Sequence, residues 1–160
     1  MDPNELSEIL LAAPRANRDA WYNLMRKDVF KPIFNYESWE ETRDHPYRKL
    51  KTVTDSKIVS VTDFGTNPRN IFLAHEYLAM VDPSCAIKFT VQFNLFGGSI
   101  FALCTERHKK MFHNIDDLSV CGCFCITELG FGNNAVKMET TAHYDESKKE
   151  FVVNSPTVMS

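Results

Sequence analysis

Near residue 117 the hydrophobic period of this chain changes, and that change constrains the fold more than any other feature. Upstream, apolar residues recur at helical spacing. Downstream they fall in short runs flanked by glycine, asparagine and polar turns, the pattern of strands. The chain therefore predicts an α+β fold: an amino-terminal α-helical domain over residues 1–117, then the start of an antiparallel β domain over residues 118–160.

Within the helical part, Asn4–Leu11 is a short candidate opened by Asp2 and Pro3 and stopped before Pro14. Asn17–Phe30 carries Trp21, Leu24, Met25 and Phe30 at near-helical spacing, with Pro32 ending it. Ser38-Trp39-Glu40-Glu41 reads as a capping box, Ser38 accepting from the third amide while Glu41 reaches back. The helix it opens is expected to end near Asp44, because Pro46 disfavours helix at the residue before it. Residues 51–68 are polar and read as a long connection. Pro68 suits the first position of a helix over Arg69–Val81, whose Ile71, Phe72, Ala74, Leu78 and Val81 give a broad apolar face. Asp82-Pro83 breaks that helix and opens another, Ser84–Leu95. Gly97-Gly98 then punctuates before a helix over Ser99–Phe112, and Asn114–Leu118 is a loop.

In the β part, Cys121–Ile126 is an apolar run too short for a confident helix, with Thr127 and Glu128 at its carboxyl end. Leu129–Asn134 is a Gly- and Asn-rich loop whose backbone can approach a ligand closely. Val136–Tyr144 and Phe151–Asn154 are two further strand-like runs, joined by a polar turn at Asp145–Lys149. A threonine hydroxyl and open backbone at a strand end make a cradle for a polar cofactor edge. Three strands with one apolar face are close to the minimum for stability, and the unit reads as unfinished.

Composition narrows the function. A chain of 160 residues buries roughly 70% of its unfolded surface. Its net charge of −3, without a basic run, argues against nucleic acid. No apolar stretch approaches the roughly 18 residues of a membrane span, and Met1-Asp2-Pro3-Asn4-Glu5 lacks the positive start of a secretory signal. The five cysteines, Cys85, Cys104, Cys121, Cys123 and Cys125, suit a reducing compartment better than a disulfide framework. Three of them alternate along one strand, sharing a face, but paired C-x₂₋₄-C elements and matching histidines are missing. They read as buried or semi-buried thiols, with no metal site. His45, His75, His108, His113 and His143 show no paired metal spacing; His108 reads as a cation at a helix end. Lys109 and Lys110 read as a solvated helix end, with contact to a ligand phosphate as the alternative. No Gly-x-Ser-x-Gly or Ser-His-Asp order suggests acyl transfer. Gly97-Gly98 is explained equally by a helix break and by close approach to a ligand.

Several runs carry more than composition. Gly122-Cys123-Phe124, Thr127-Glu128-Leu129-Gly130, Gly132-Asn133-Asn134, Met138-Glu139-Thr140-Thr141-Ala142 and Asn154-Ser155-Pro156-Thr157 succeed one another in order. Upstream stand Phe93-Asn94-Leu95-Phe96-Gly97-Gly98-Ser99 and Thr105-Glu106-Arg107-His108. Together they resemble the acyl-CoA oxidases, flavoenzymes related to the acyl-CoA dehydrogenases. The resemblance implies FAD as cofactor and a barrel-like middle domain. It implies oxidation of fatty acyl-CoA to trans-2-enoyl-CoA in fatty acid β-oxidation, with electrons passed to O₂ and H₂O₂ released. A peroxisomal location and a homodimer at full length are implied as well.

By the same resemblance Thr127 hydrogen-bonds the flavin ring, with Cys125, Ile126 and Glu128 contributing backbone contacts. Asn133 stands where related dehydrogenases often carry a serine. The family's catalytic glutamate has no matching position here, and Glu128 and Glu139 belong to other motifs. The chain is thus expected to be an amino-terminal fragment, inactive alone. Two alternatives stay open: an acyl-CoA dehydrogenase passing electrons to a protein acceptor, and a non-catalytic helical interaction module.

Overall fold

A computed structural model of the chain describes residues 2–11, 15–35 and 38–160. It is α+β, as expected, with helices followed by an antiparallel hairpin. Contacts divide it into two compact units, one reaching to Cys123 and one from Phe124 to Ser160.

In the first unit α1 is Pro3–Leu11 and α2 is Arg15–Met25; Pro14 lies outside the described residues. Sequence periodicity had α2 running to Phe30, but it stops at Met25. Lys27 is extended, and a separate 3₁₀ turn, Asp28–Phe30, buries Phe30. Helix α3, Trp39–Asp55, begins as expected: Ser38 Oγ accepts from the Glu41 amide at 3.1 Å. Its end does not. The helix runs straight through Pro46, eleven residues beyond the expected stop at Asp44. An interior proline costs about 3 kcal/mol, yet the turns beyond it bury Leu50 and Val53, and Pro46 itself is fully buried. Each buried aliphatic side chain contributes about 1.5–3 kcal/mol, so burial outweighs the missing hydrogen bond.

The polar stretch 51–68 is no loose connection either. It completes α3, buries Val59 and Val61, and forms a short helix α4, Asp63–Thr66. Two side chains stitch it down. Asn70 Nδ2 donates to the Ile58 carbonyl and Asp63 Oδ2, both at 2.8 Å, while its Oδ1 accepts from the Trp21 indole at 2.9 Å. From the other side, Asp116 accepts from Ser60 Oγ at 2.6 Å and the Val61 amide at 2.7 Å. Burial pushes the Asp116 carboxyl above its ordinary range despite those donors.

Helix α5, Pro68–Val81, starts on its proline as expected. Asp82 ends it and caps the next helix, accepting from the Ser84 and Cys85 amides at 2.9 and 3.1 Å. That next helix, α6, is Pro83–Leu103, and its central stretch Thr90–Gly97 is π-helical. Gly97 and Gly98 do not interrupt it. With 21 residues it is long and apolar enough to cross a membrane by length and composition alone. The expectation that no stretch was long enough failed because it ended the helix before the glycines. Here Phe89 and Phe93 of α6 stack at 4.6 Å in the core with Trp21, Val53 and Leu78. Gly97 serves packing: a Cβ there would lie 2.9 Å from Val61 Cγ2 and 3.0 Å from the Gln92 carbonyl oxygen.

The expected helix over Ser99–Phe112 is likewise divided. After α6 ends at Leu103, Cys104 is extended, a 3₁₀ turn spans Glu106–His108, and α7 is Met111–Asp116. His108 therefore sits in a first turn, its Nδ1 accepting from the Thr105 amide at 3.1 Å, rather than at the end of a long helix. Lys109 pairs with Glu106 at 2.6 Å on the surface.

In the second unit β1, Thr141–Asp145, pairs antiparallel with β2, Glu150–Asn154, in the register Thr141↔Asn154 to Asp145↔Glu150. Asp145 Oδ1 closes the turn by accepting from the Ser147 and Lys148 amides. Among the described residues two strands form, not three. Residues 121–127 have no ladder partner among the described residues, and a strand without a partner has no ladder to join. Residues 135–137 make a 3₁₀ turn, which delays β1 to Thr141.

The two neighbouring glycines of α6 give a paired test. Gly97→Ala must displace Val61 or the helix backbone, and overpacking of this kind costs about 1–3 kcal/mol. Gly98→Ala meets nothing nearer than 3.5 Å, so it should be neutral or stabilising by up to about 1 kcal/mol from helix propensity. Chemical denaturation of both variants checks this; equal stabilities would mean that Gly97 is not held against its neighbours.

Candidate functional site

Glu128 organises the region the sequence singled out. Its backbone forms a bridge with Gly132, N–H to carbonyl oxygen at 3.0 and 2.7 Å in the two directions. Gly132 has φ +58°, the left-handed region glycine adopts without strain. The turn brings Asn133 back beside Thr127, whose hydroxyl donates to Asn133 Oδ1.

The Glu128 side chain does more than the backbone role expected of it. It is 4% exposed, and its carboxylate accepts from the Glu139 and Thr140 amides at 2.9 Å each. Those donors, the Glu139 amide first, hold its carboxyl below the ordinary range. The same cluster continues outward. Thr140 Oγ1 meets Ser155 Oγ at 3.0 Å, Thr157 Oγ1 donates to Glu139 Oε2 at 3.0 Å, and the Gly130 amide donates to the Met159 carbonyl at 2.8 Å. Residues from Thr-Glu, Leu-Gly, Met-Glu-Thr-Thr and Asn-Ser-Pro-Thr, spread along thirty positions, are thus brought together.

The site residues fall into two groups. Thr127, Glu128 and Asn133 share this cluster. Cys125 and Ile126 lie on the extended stretch just before it, Cys125 exposed and Ile126 half-buried. The cysteines differ from expectation: Cys121, Cys123 and Cys125 are exposed. Cys85 alone is fully buried, which pushes its thiol up to about 12. Among the described residues no group of histidine, cysteine, aspartate and glutamate is placed to hold a metal. The hydrogen bonds of Glu128 join residues eleven and twelve positions apart, and only the order of the motifs hinted at them.

No family model matches the chain. Curated proteins and solved structures do. Human peroxisomal acyl-coenzyme A oxidase 3 is 32% identical over 119 residues, 74% of this chain and 17% of that protein. Acyl-coenzyme A oxidase 3, peroxisomal, from Arabidopsis thaliana is 42% identical over 171 aligned positions, 97% of this chain and 25% of that protein. The crystal structure of acyl-CoA oxidase 3 from Yarrowia lipolytica superposes with a TM-score of 0.72 at 23% identity, over 98% of this chain and 23% of that one. The resemblance to the acyl-CoA oxidases holds. It extends to the fold, and this chain spans about a quarter or less of the length of these oxidases.

A depressed carboxyl makes the Glu128 contacts sensitive to acid. They contribute fully above the unfolded glutamate value, about 4.3, and are lost as pH falls through the lower folded value. In an NMR titration the Glu139 and Thr140 amide shifts should therefore move together with a midpoint below about pH 4.3. In Glu128→Gln that transition should disappear. A midpoint at or above the ordinary value would show that the carboxylate is not held by those amides.

Proposed function

We propose that this chain supplies the helical domain and the beginning of the β domain of a flavin-dependent acyl-CoA oxidase, with the junction in residues 117–123. In this reading the full-length protein acts in the peroxisome, in fatty acid β-oxidation, as a homodimer. It converts a fatty acyl-CoA and O₂ to the trans-2-enoyl-CoA and H₂O₂. The observation that carries the reading is the convergence of the motif residues around Glu128, beside an open extended stretch ending in Thr127.

The residues fit FAD. Thr127 presents a hydroxyl and Asn133 an amide on an exposed part of the chain; these are donors and acceptors of the kind that the polar edge of an isoalloxazine ring requires. When bound, FAD supplies the acceptor for the two electrons removed from the acyl chain. Thr127 hydrogen-bonds the ring, with backbone contacts from Cys125, Ile126 and Glu128. Asn133 fixes the rotamer of Thr127, and Glu128 holds the loop that carries both. Neither glutamate of the cluster serves as the base that removes the α proton. Glu128 is spent on two amides, and Glu139 accepts from Thr157. The base comes from another part of the protein, and the 160 residues alone do not turn over.

Peroxide release tests the reaction. Under air, the full-length protein with a fatty acyl-CoA should form H₂O₂ in step with enoyl product; product formed only with an added protein acceptor would make it a dehydrogenase. Absence of a flavin band would leave a non-catalytic helical module. Thr127→Val tests the site, keeping shape and removing polarity. A net hydrogen bond contributes about 0.5–1.5 kcal/mol and an unsatisfied buried partner costs about 1–3 kcal/mol. At about 1.36 kcal/mol per factor of ten, flavin affinity or reduction rate should fall roughly three- to hundredfold. Unchanged occupancy and unchanged reduction would make Thr127 an ordinary loop residue.

A further inference from the structure

Cys121 and Cys123 stand on either side of a glycine that the helical unit holds fast. Both thiols are exposed and both lie in the first compact unit, whereas Cys125 lies in the second. Between them, the Gly122 amide donates to Oε1 of the buried Gln92 at 3.0 Å, while Gln92 Nε2 donates to the Ile115 and Val120 carbonyls at 3.0 and 2.8 Å. A Cβ at Gly122 would stand 1.9, 2.1 and 2.3 Å from Phe96 Cγ, Cδ1 and Cδ2. Gly122 does not have the positive φ of Gly132, so space and not conformation demands a glycine here. Two residues of chain span at most about 7 Å, and a disulfide joins Cα atoms roughly 4.4–6.8 Å apart. A small contraction at the glycine, the residue whose backbone bends most readily, is therefore all that a bridge from Cys121 to Cys123 requires. Among the described residues neither cysteine belongs to a ladder which that contraction would break.

We propose that Cys121 and Cys123 are a reversible dithiol that hydrogen peroxide oxidises to a disulfide. One sulfur attacks peroxide, the O–O bond breaks, and a sulfenic acid forms with release of water. The second thiol then attacks that sulfur, the S–S bond closes and a second water leaves. Two thiols thus lose two hydrogens and two electrons, and one peroxide is reduced to two waters. That the protein makes this peroxide itself rests on the function proposed above; the dithiol does not. Exposure selects the pair, since Cys85 is fully buried and its thiol is pushed up to about 12. The bridge also has a structural consequence. Drawing Cys121 and Cys123 together bends the chain at Gly122, whose amide is held by Gln92 and whose Cα face abuts Phe96. Oxidation therefore breaks the hydrogen bond from Gly122 to Gln92, and reduction restores it.

Mass spectrometry after alkylation tests the pair. The folded 160-residue chain treated with H₂O₂ should lose two hydrogens and two alkylatable cysteines, and a thiol reductant should restore both. Cys121→Ser and Cys123→Ser should each abolish the bridge, and Cys125→Ser should leave it intact. Hydrogen exchange of the Gly122 amide should speed up in the oxidised chain and slow again on reduction. In the full-length protein turning over a fatty acyl-CoA in air, the same bridge should form, and added catalase should prevent it. Sulfenic or sulfinic acid without a bridge overturns the proposal, as does a bridge that needs Cys125 or forms only in denaturant. Peroxide release by the full-length protein with both thiols still reduced overturns it too. If the full-length protein releases no peroxide, the oxidase reading falls, and added H₂O₂ still decides the dithiol.

Discussion

The carboxylate of Asp82 is the point on which the helical unit turns. One oxygen caps α6 through the Ser84 and Cys85 amides; the other takes the Lys49 ammonium of α3 at 2.6 Å. Both charged groups are buried. A buried pair contributes little net stability, because desolvation offsets the attraction, yet removing one partner costs about 3–5 kcal/mol. Its effect is specificity of placement. Helix α5 must end at Asp82, α6 must begin at Pro83, and α3 must extend past Pro46 to bring Lys49 to the carboxylate. The lysine that α3 carries past its proline thus meets a carboxylate thirty-three residues away.

From that start α6 orders the chain beyond it. Its first turns bury Cys85, Ala86 and Phe89, its π-helical middle aims Gln92 at residues 115–122, and Gly97 lets Val61 and Ile115 close upon it. A cap at one end of the helix and an amide in its middle therefore govern the same stretch of chain. Sequence periodicity detects neither relation, since both join positions that are distant in the chain.

The structure separates what local rules can read from what they cannot. Helix starts were legible: Ser38, Pro68 and Asp82-Pro83 act within three residues of themselves, and each does what its chemistry dictates. Helix ends were not. Pro46 and the Gly97-Gly98 pair are strong local stop signals, and in both cases burial of the residues beyond them decides the outcome. The stretch from Cys121 to Ile126 failed for the opposite reason. Its composition suits a strand, but strand structure belongs to a pair, and among the described residues this stretch joins no ladder. Thr127 and Asn133 came from the resemblance; the carboxylate of Glu128 and the amide of Gln92 did not, because each binds main chain eleven to thirty residues away.

Glycine shows how little a motif letter says until geometry is known. Gly97 leaves room for two neighbouring side chains, Gly122 for an aromatic ring, and Gly132 takes a backbone conformation that a larger residue resists. None of these roles was anticipated: Gly97-Gly98 read as a helix break or a close approach to a ligand, and the Gly- and Asn-rich loop as backbone open to a ligand. None of the three has a side chain to contact a ligand. In this part of the chain, then, the ordered motifs encode how the backbone is held, and the chemistry of the site falls to the few polar atoms which that backbone presents.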